Sequence, residues 1–154
     1  MKARLTLVGL LVLTISGIGS ADEPTYVGAS KCKICHKVEY ASWETLPHAK
    51  AFDRLKPEEQ SKAECLTCHA TGNNAELPGV QCEACHGPGS LYKSPKVMSK
   101  SKYKEDPDGM HKMSLEAGMI VPDEKTCLGC HNDKSPTFKG FNYEEAKAKI
   151  KHWE

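Results

Sequence analysis

The sequence has little from which to build a conventional core. Its 154 residues include three Phe and two Trp, and aromatics make up only 6% of the chain. Lys, Glu, Pro and Gly are plentiful, so side chains alone would leave a thin interior. Charge of one sign is also missing. The formal net charge is +1, and nothing in it points to nucleic acid as a partner. No phosphate loop, nucleotide fingerprint or Ser/His/Asp constellation is present. The apolar run Leu5–Ile18 is too short for a transmembrane span. It follows Lys2 and Arg4 and precedes Gly19-Ser20-Ala21. That is the layout of a secretory signal peptide over residues 1–21. No stable membrane anchor is expected, and residues 22–154 make one domain of about 133 residues.

What the chain does have is concentrated. All eight cysteines lie in four copies of Cys-x-x-Cys-His: CKICH, CLTCH, CEACH and CLGCH. Eight cysteines in an exported protein would ordinarily mean four disulfides, but disulfides do not require a histidine after every second cysteine. Histidine is 7 of 154 residues, so four such placements by chance come to a few in a million, on the order of a frequency taken to the fourth power. Zinc accounts for Cys65, Cys68, Cys82 and Cys85 as paired ligands, yet leaves His69 and His86 unexplained.

C-x-x-C-H is the attachment site of c-type haem. Two thiols three positions apart reach one edge of the macrocycle from one helical turn, and the adjacent histidine falls beneath the iron. Four haems follow: at Cys32, Cys35 and His36; at Cys65, Cys68 and His69; at Cys82, Cys85 and His86; at Cys127, Cys130 and His131. With about 33 residues for each, the haems are the core. A chain this size has a radius of gyration near 14 Å, so four macrocycles inside it lie close together and make a path for electrons. Gly72, Asn73, Asn74, Pro78 and Gly79 turn the loop between the second and third motifs, and Gly87-Pro88-Gly89 turns the chain away from the third.

Four irons have eight axial positions. The motifs supply four histidines, and three remain: His48, His111 and His152. At least one iron lacks a second histidine, and Met98, Met110, Met113, Met119, water or nothing is left for it. Tyr40 and Trp43 sit one helical turn apart, and Pro47 breaks that helix to present His48 at the start of a second short one. His111 lies in DPDGMHKMS, read as a loop. In FNYEEAKAKIKHWE, Asn142 and Glu145 look like a cap and its partner. The apolar face there is Tyr143, Ala146, Ile150 and Trp153. His152 falls off that face at 100° per residue, so it turns inward only if the last turn frays.

The runs YVGASKCKICHKVEYASWETLPHAKAF and GVQCEACHGPGS resemble the tetrahaem cytochrome c-554 family, which includes the periplasmic electron acceptor of hydroxylamine oxidoreductase in ammonia oxidisers. The resemblance implies a mainly α, haem-packed domain of short helices and long loops with little or no sheet, with stacked haem pairs, three irons with two histidines and one open. It implies that His48 crosses to the third haem and that the second, at His69, is open. A histidine after the third motif normally serves the first haem. LYKSPK has none, and His111 is the nearest candidate. The family's histidine before the fourth motif is missing from MIVPDEKT, and His152 either stands in for it on the fourth haem or serves the second, which would move the open iron. The chain is shorter than the ammonia-oxidiser protein, so that protein's partner does not carry over.

Six lysines between Lys93 and Lys112 form either a solvated loop or a docking surface for an acidic redox partner. Three functions stay open: an exported, periplasmic electron carrier between redox partner proteins; a reductase of nitric oxide or a related nitrogen species at the open iron; and a subunit of a polymeric extracellular conductor. Monomer and oligomer are not distinguished.

Overall fold

The computed structural model describes residues 23–152; the signal-peptide reading of 1–21 lies outside them. Among the described residues there are eight short α-helices and no strand. They are α1 (Ala29–Cys32), α2 (Lys37–Glu44), α3 (Ala63–His69), α4 (Cys82–His86), α5 (Lys100–Glu105), α6 (Pro107–Glu116), α7 (Glu124–Leu128) and α8 (Tyr143–Lys149). Single 3-10 turns occur at Phe52–Arg54, Pro57–Glu59 and Thr71–Asn73. Extended pairing is limited to isolated bridges from Ala70 to Pro78 and Gly79. The mainly α expectation holds.

Helices this short are not stable by propensity; they are held by caps and by polar crossings. The buried apolar side chains are Ala29, Ala51, Leu66, Ala70, Tyr92, Val97 and Met110, and the largest fully buried side chains are the polar Glu83 and Thr71. Thr71 is a hub: its hydroxyl donates to the Gly79 carbonyl (2.9 Å) and accepts from the Gln81 amide (2.9 Å). The segment before α1 lies along the third motif. Ser90 exchanges hydrogen bonds with Thr25, and the Ala29 amide donates to Gln81 Oε1 at 2.7 Å.

Two readings of local structure change. DPDGMHKMS is helical, within α6, because Asp106 accepts from the Gly109 amide and Pro107 occupies the first turn, both helix-start signals. His48 does not open a helix; it sits in a run of turns after α2, since Pro47 ends the ladder and the His48 carbonyl accepts from Ala51 and Val80 instead. The Asn142 cap is present, accepting from the Glu145 amide, but α8 stops at Lys149. His152 therefore lies beyond the helix and is not bound by its face.

Candidate haem-binding site

Each motif folds into one tight turn of helix. CEACH makes up α4, CLTCH ends α3, and the other two begin in α1 and α7. In the first and fourth, the histidine amide donates to the first cysteine's carbonyl, at 2.9 Å for His36 to Cys32 and 3.0 Å for His131 to Cys127. That i to i+4 turn sets both thiols and the imidazole on neighbouring positions of one helical surface. All eight cysteines are free thiols. No group of three or more His, Cys, Asp or Glu among the described residues is arranged to hold a bare metal ion.

The motifs face one another in pairs that do not follow chain order. The Cys32 and Cys82 thiols lie close enough to perturb each other, Cys32 being pushed up and Cys82 down. Cys130 is pushed up to about 12 by burial and by the Cys68 thiol beside it. Cys85 is raised by burial and then by Cys127. The thiols of the first and third motifs, of the second and fourth, and of the third and fourth are thus near enough to perturb one another.

The residues fit haem. A cavity of about 380 Å³ is lined by Cys32, His36, His48, Cys82, His86 and His152, with Tyr40, Trp43, Leu46 and Ile150 among its apolar walls. A second, of about 430 Å³, adjoins Cys35, His36 and His111, with Met98, Met110 and Met119. Both are of cofactor size and chiefly apolar. The imidazoles are prepared for metal: the Nδ1 atoms of His69, His86 and His152 hydrogen-bond to the carbonyls of Ala51 (2.6 Å), Ile120 (3.2 Å) and Ile150 (2.9 Å). That second contact fixes the tautomer and leaves Nε2 for a metal. Burial, and then His131, lower the pKa of His48; burial likewise lowers that of His86. Both are thereby kept in the neutral form that ligates.

Two histidine pairs stand at a telling distance. The ring centroids of His48 and His131 are 6.0 Å apart, and those of His86 and His152 are 6.3 Å apart. A metal bonded to two imidazole nitrogens at roughly 2 Å each holds the ring centres roughly 6 Å apart. His48 thus lies near His131 of the fourth motif and also lines the cavity that holds Cys82 and His86 of the third, and His152 lies near His86 of the third. The turn that carries His48 is tied to Val80, whose amide donates to the His48 carbonyl (2.9 Å) and whose carbonyl accepts from Trp43 Nε1 (2.8 Å). His111 shares the larger cavity with His36. Neither of these two cavities is lined by His69, and the ring pairs above do not include it. The cavity-lining Met98, Met110 and Met119 lie beside His36 instead.

Sequence reasoning missed Glu83, Gln81, Thr71 and Tyr92. A Glu between two motif cysteines carries no hint of burial, and nothing in LYKSPK shows that the Tyr92 hydroxyl donates to the Gly87 carbonyl (2.6 Å).

Comparison with known proteins agrees with this geometry. Residues 31–87 match the family described as cytochrome c554 and c-prime. Cytochrome c-554 of Nitrosomonas europaea is 28% identical over 172 aligned residues, covering 94% of this chain and 71% of that protein. The solved reduced state of cytochrome c554 from the same organism superimposes with a TM-score of 0.57 at 26% identity, covering 85% of this chain and 79% of the other. The resemblance first carried by the motif residues thus extends along the chain and into the fold: the chain is similar to cytochrome c-554 in sequence and in its helical architecture.

Proposed function

We propose that the chain is an exported electron carrier holding four c-type haems in one domain from residue 22 to 154. The motif cysteines Cys32, Cys35, Cys65, Cys68, Cys82, Cys85, Cys127 and Cys130 make the thioether links. His36, His69, His86 and His131 are the proximal ligands. His111, His152 and His48 are the distal ligands opposite His36, His86 and His131, and His69 has no distal histidine. Haem bound there supplies a one-electron ferric/ferrous couple. The chain's part is to bind, orient and bury it. The Nδ1 contacts hold the imidazoles of His69, His86 and His152 in register, and the apolar walls keep water out. The two histidine pairs at 6.0 and 6.3 Å carry this reading. The adjacency of the motifs gives the order first, third, fourth, second, with the open site at one end.

Export to the periplasm is supported by the leader-like residues 1–21. No helix among the described residues is long and apolar enough to cross a membrane. The partners are redox proteins. Intact mass and the pyridine haemochrome spectrum of the mature protein test the haem count, and low-temperature EPR tests the ligation. Four haems with three low-spin irons and one high-spin iron are expected; fewer haems, or four low-spin irons, would sink the assignment. Reduction of nitric oxide at the His69 iron is a second reading, favoured by the lack of an imidazole opposite that residue. A nitrosyl EPR signal on the reduced protein would support it.

A further inference from the structure

Glu83 lies inside the third motif, between Cys82 and Cys85, and its side chain is among the most deeply buried in the protein, at 1% exposure. Its carboxylate accepts four hydrogen bonds. Oε1 receives the Val27 and Gly89 amides at 3.0 and 2.6 Å; Oε2 receives the Val27 and Gly28 amides at 3.1 and 2.7 Å. Every contact is accepted and none donated, the pattern of an ionised carboxylate, which has no proton to give. The two ion pairs among the described residues, His36 with Glu39 and Lys112 with Glu116, are elsewhere. Backbone dipoles stabilise this charge without neutralising it. A Cβ at Gly89 would stand 2.9 Å from Oε1, so the cradle is closed to larger residues.

The charge also stands between two motifs. It is next to Cys82 in the chain, and its Oε2 accepts from Gly28, the N-cap of α1, the helix that ends at Cys32 of the first motif. On the other side of Cys82, Gln81 Oε1 accepts from the Ala29 amide of the same helix.

We propose that Glu83, besides tying the N-terminal segment to the third motif, is a fixed negative charge that lowers the reduction potentials of the haems held by the first and third motifs. The physical basis is direct. The ferric state carries one more positive charge than the ferrous, so an uncompensated anion in a dry interior favours the ferric state. The donor, a redox partner, must then deliver its electron at lower potential to these two sites, whose helices α1 and α4 hold the carboxylate between them. Glu83 is a positioning and tuning residue; it touches no iron. The inference rests on the four-haem reading.

The test is spectroelectrochemical titration of Glu83→Gln and Glu83→Asp beside the wild type, with haem content measured on each. Four haems in the wild type secure the underlying reading independently of any potential. With four haems retained, Glu83→Gln raises two of the four midpoints and leaves the others in place, while Glu83→Asp, which keeps the charge, stays near the wild type. Unmoved midpoints in Glu83→Gln, or equal shifts in both variants, would overturn the tuning role and leave only a structural one. Should Glu83→Gln fail to fold, Gln81→Glu places a second carboxylate on the other side of Cys82. Titrated above pH 7, it lowers the same two midpoints, and no shift there overturns the proposal.

Discussion

Gly79 is where the His48 turn is clamped, and Gly79→Ala tests that clamp. The residue has φ +84°, and a Cβ built on it would lie 2.6 Å from the Ala49 carbonyl oxygen and 3.3 Å from that of His48. Both obstacles are backbone. Neither can retreat freely, because Gly79 N–H donates to the His69 carbonyl at 3.0 Å and Val80 N–H to the His48 carbonyl at 2.9 Å. Two costs add. Positive φ with a side chain costs about 1 kcal/mol or somewhat more. Moving a backbone carbonyl by most of an ångström adds about 1–2 kcal/mol, in the range of overpacking. Gly140 is the control. Its φ is +95° and nothing lies within 4 Å of its Cβ, so Gly140→Ala bears the first cost alone. Thermal melts of the haem-loaded proteins should show Gly79→Ala losing about 2–3 kcal/mol, roughly 8–12 °C, and Gly140→Ala about a third to a half of that. EPR should show the perturbation of one low-spin iron in Gly79→Ala alone, since the turn that moves carries His48. Equal melting temperatures for the two variants would refute the clamp, and an unchanged EPR spectrum would break its link to His48.

Three further outcomes follow from the same geometry. Thr71→Val strands the Gly79 carbonyl and the Gln81 amide in a fully buried place and should cost about 1–3 kcal/mol, read by denaturant melts, with haem content unchanged. His152→Ala and His48→Ala should each convert one low-spin iron to high-spin, and the two should be distinct in EPR; loss of the same signal in both would contradict the pairing with His86 and His131. The pKa values of His48 and His86 are lowered in the fold, so below about pH 6.5 the unfolded chain binds more protons than the folded one. Stability should therefore fall as pH drops through that range and level off once the folded-state values are passed. A denaturant midpoint no lower at pH 5.5 than at pH 7.5 would count against neutral buried imidazoles.

The cofactor was legible in the sequence because its attachment is local. Two thiols and an imidazole within five residues need one turn of helix, and the pattern survives whatever the rest of the chain does. The helical class followed from the resemblance that those motifs carry. The helix through His111 was legible too, since its cap at Asp106 and its first-turn Pro107 are local. Elsewhere, non-local or terminal effects decided where the reading failed. The role of Glu83 was not legible, because its partners are backbone amides more than fifty residues away in sequence at Val27 and Gly28, and backbone amides leave no mark in a sequence.

The distal ligands show the limit most sharply. Counting found the seven histidines, and counting alone showed that one iron goes short. It could not say which histidine meets which motif, because that depends on how turns cross in space. The stretch from Pro47 to Ala51 lies over Gly79 and Val80 only because Gly79 lets two backbones approach and Trp43 anchors its indole to the Val80 carbonyl. Once that crossing is made, His48 is delivered to His131. His152 reaches His86 because α8 ends at Lys149 and frees the last residues from the helical face. An arrangement set by one glycine contact and one helix end is as specific as a motif, but it is written in three dimensions.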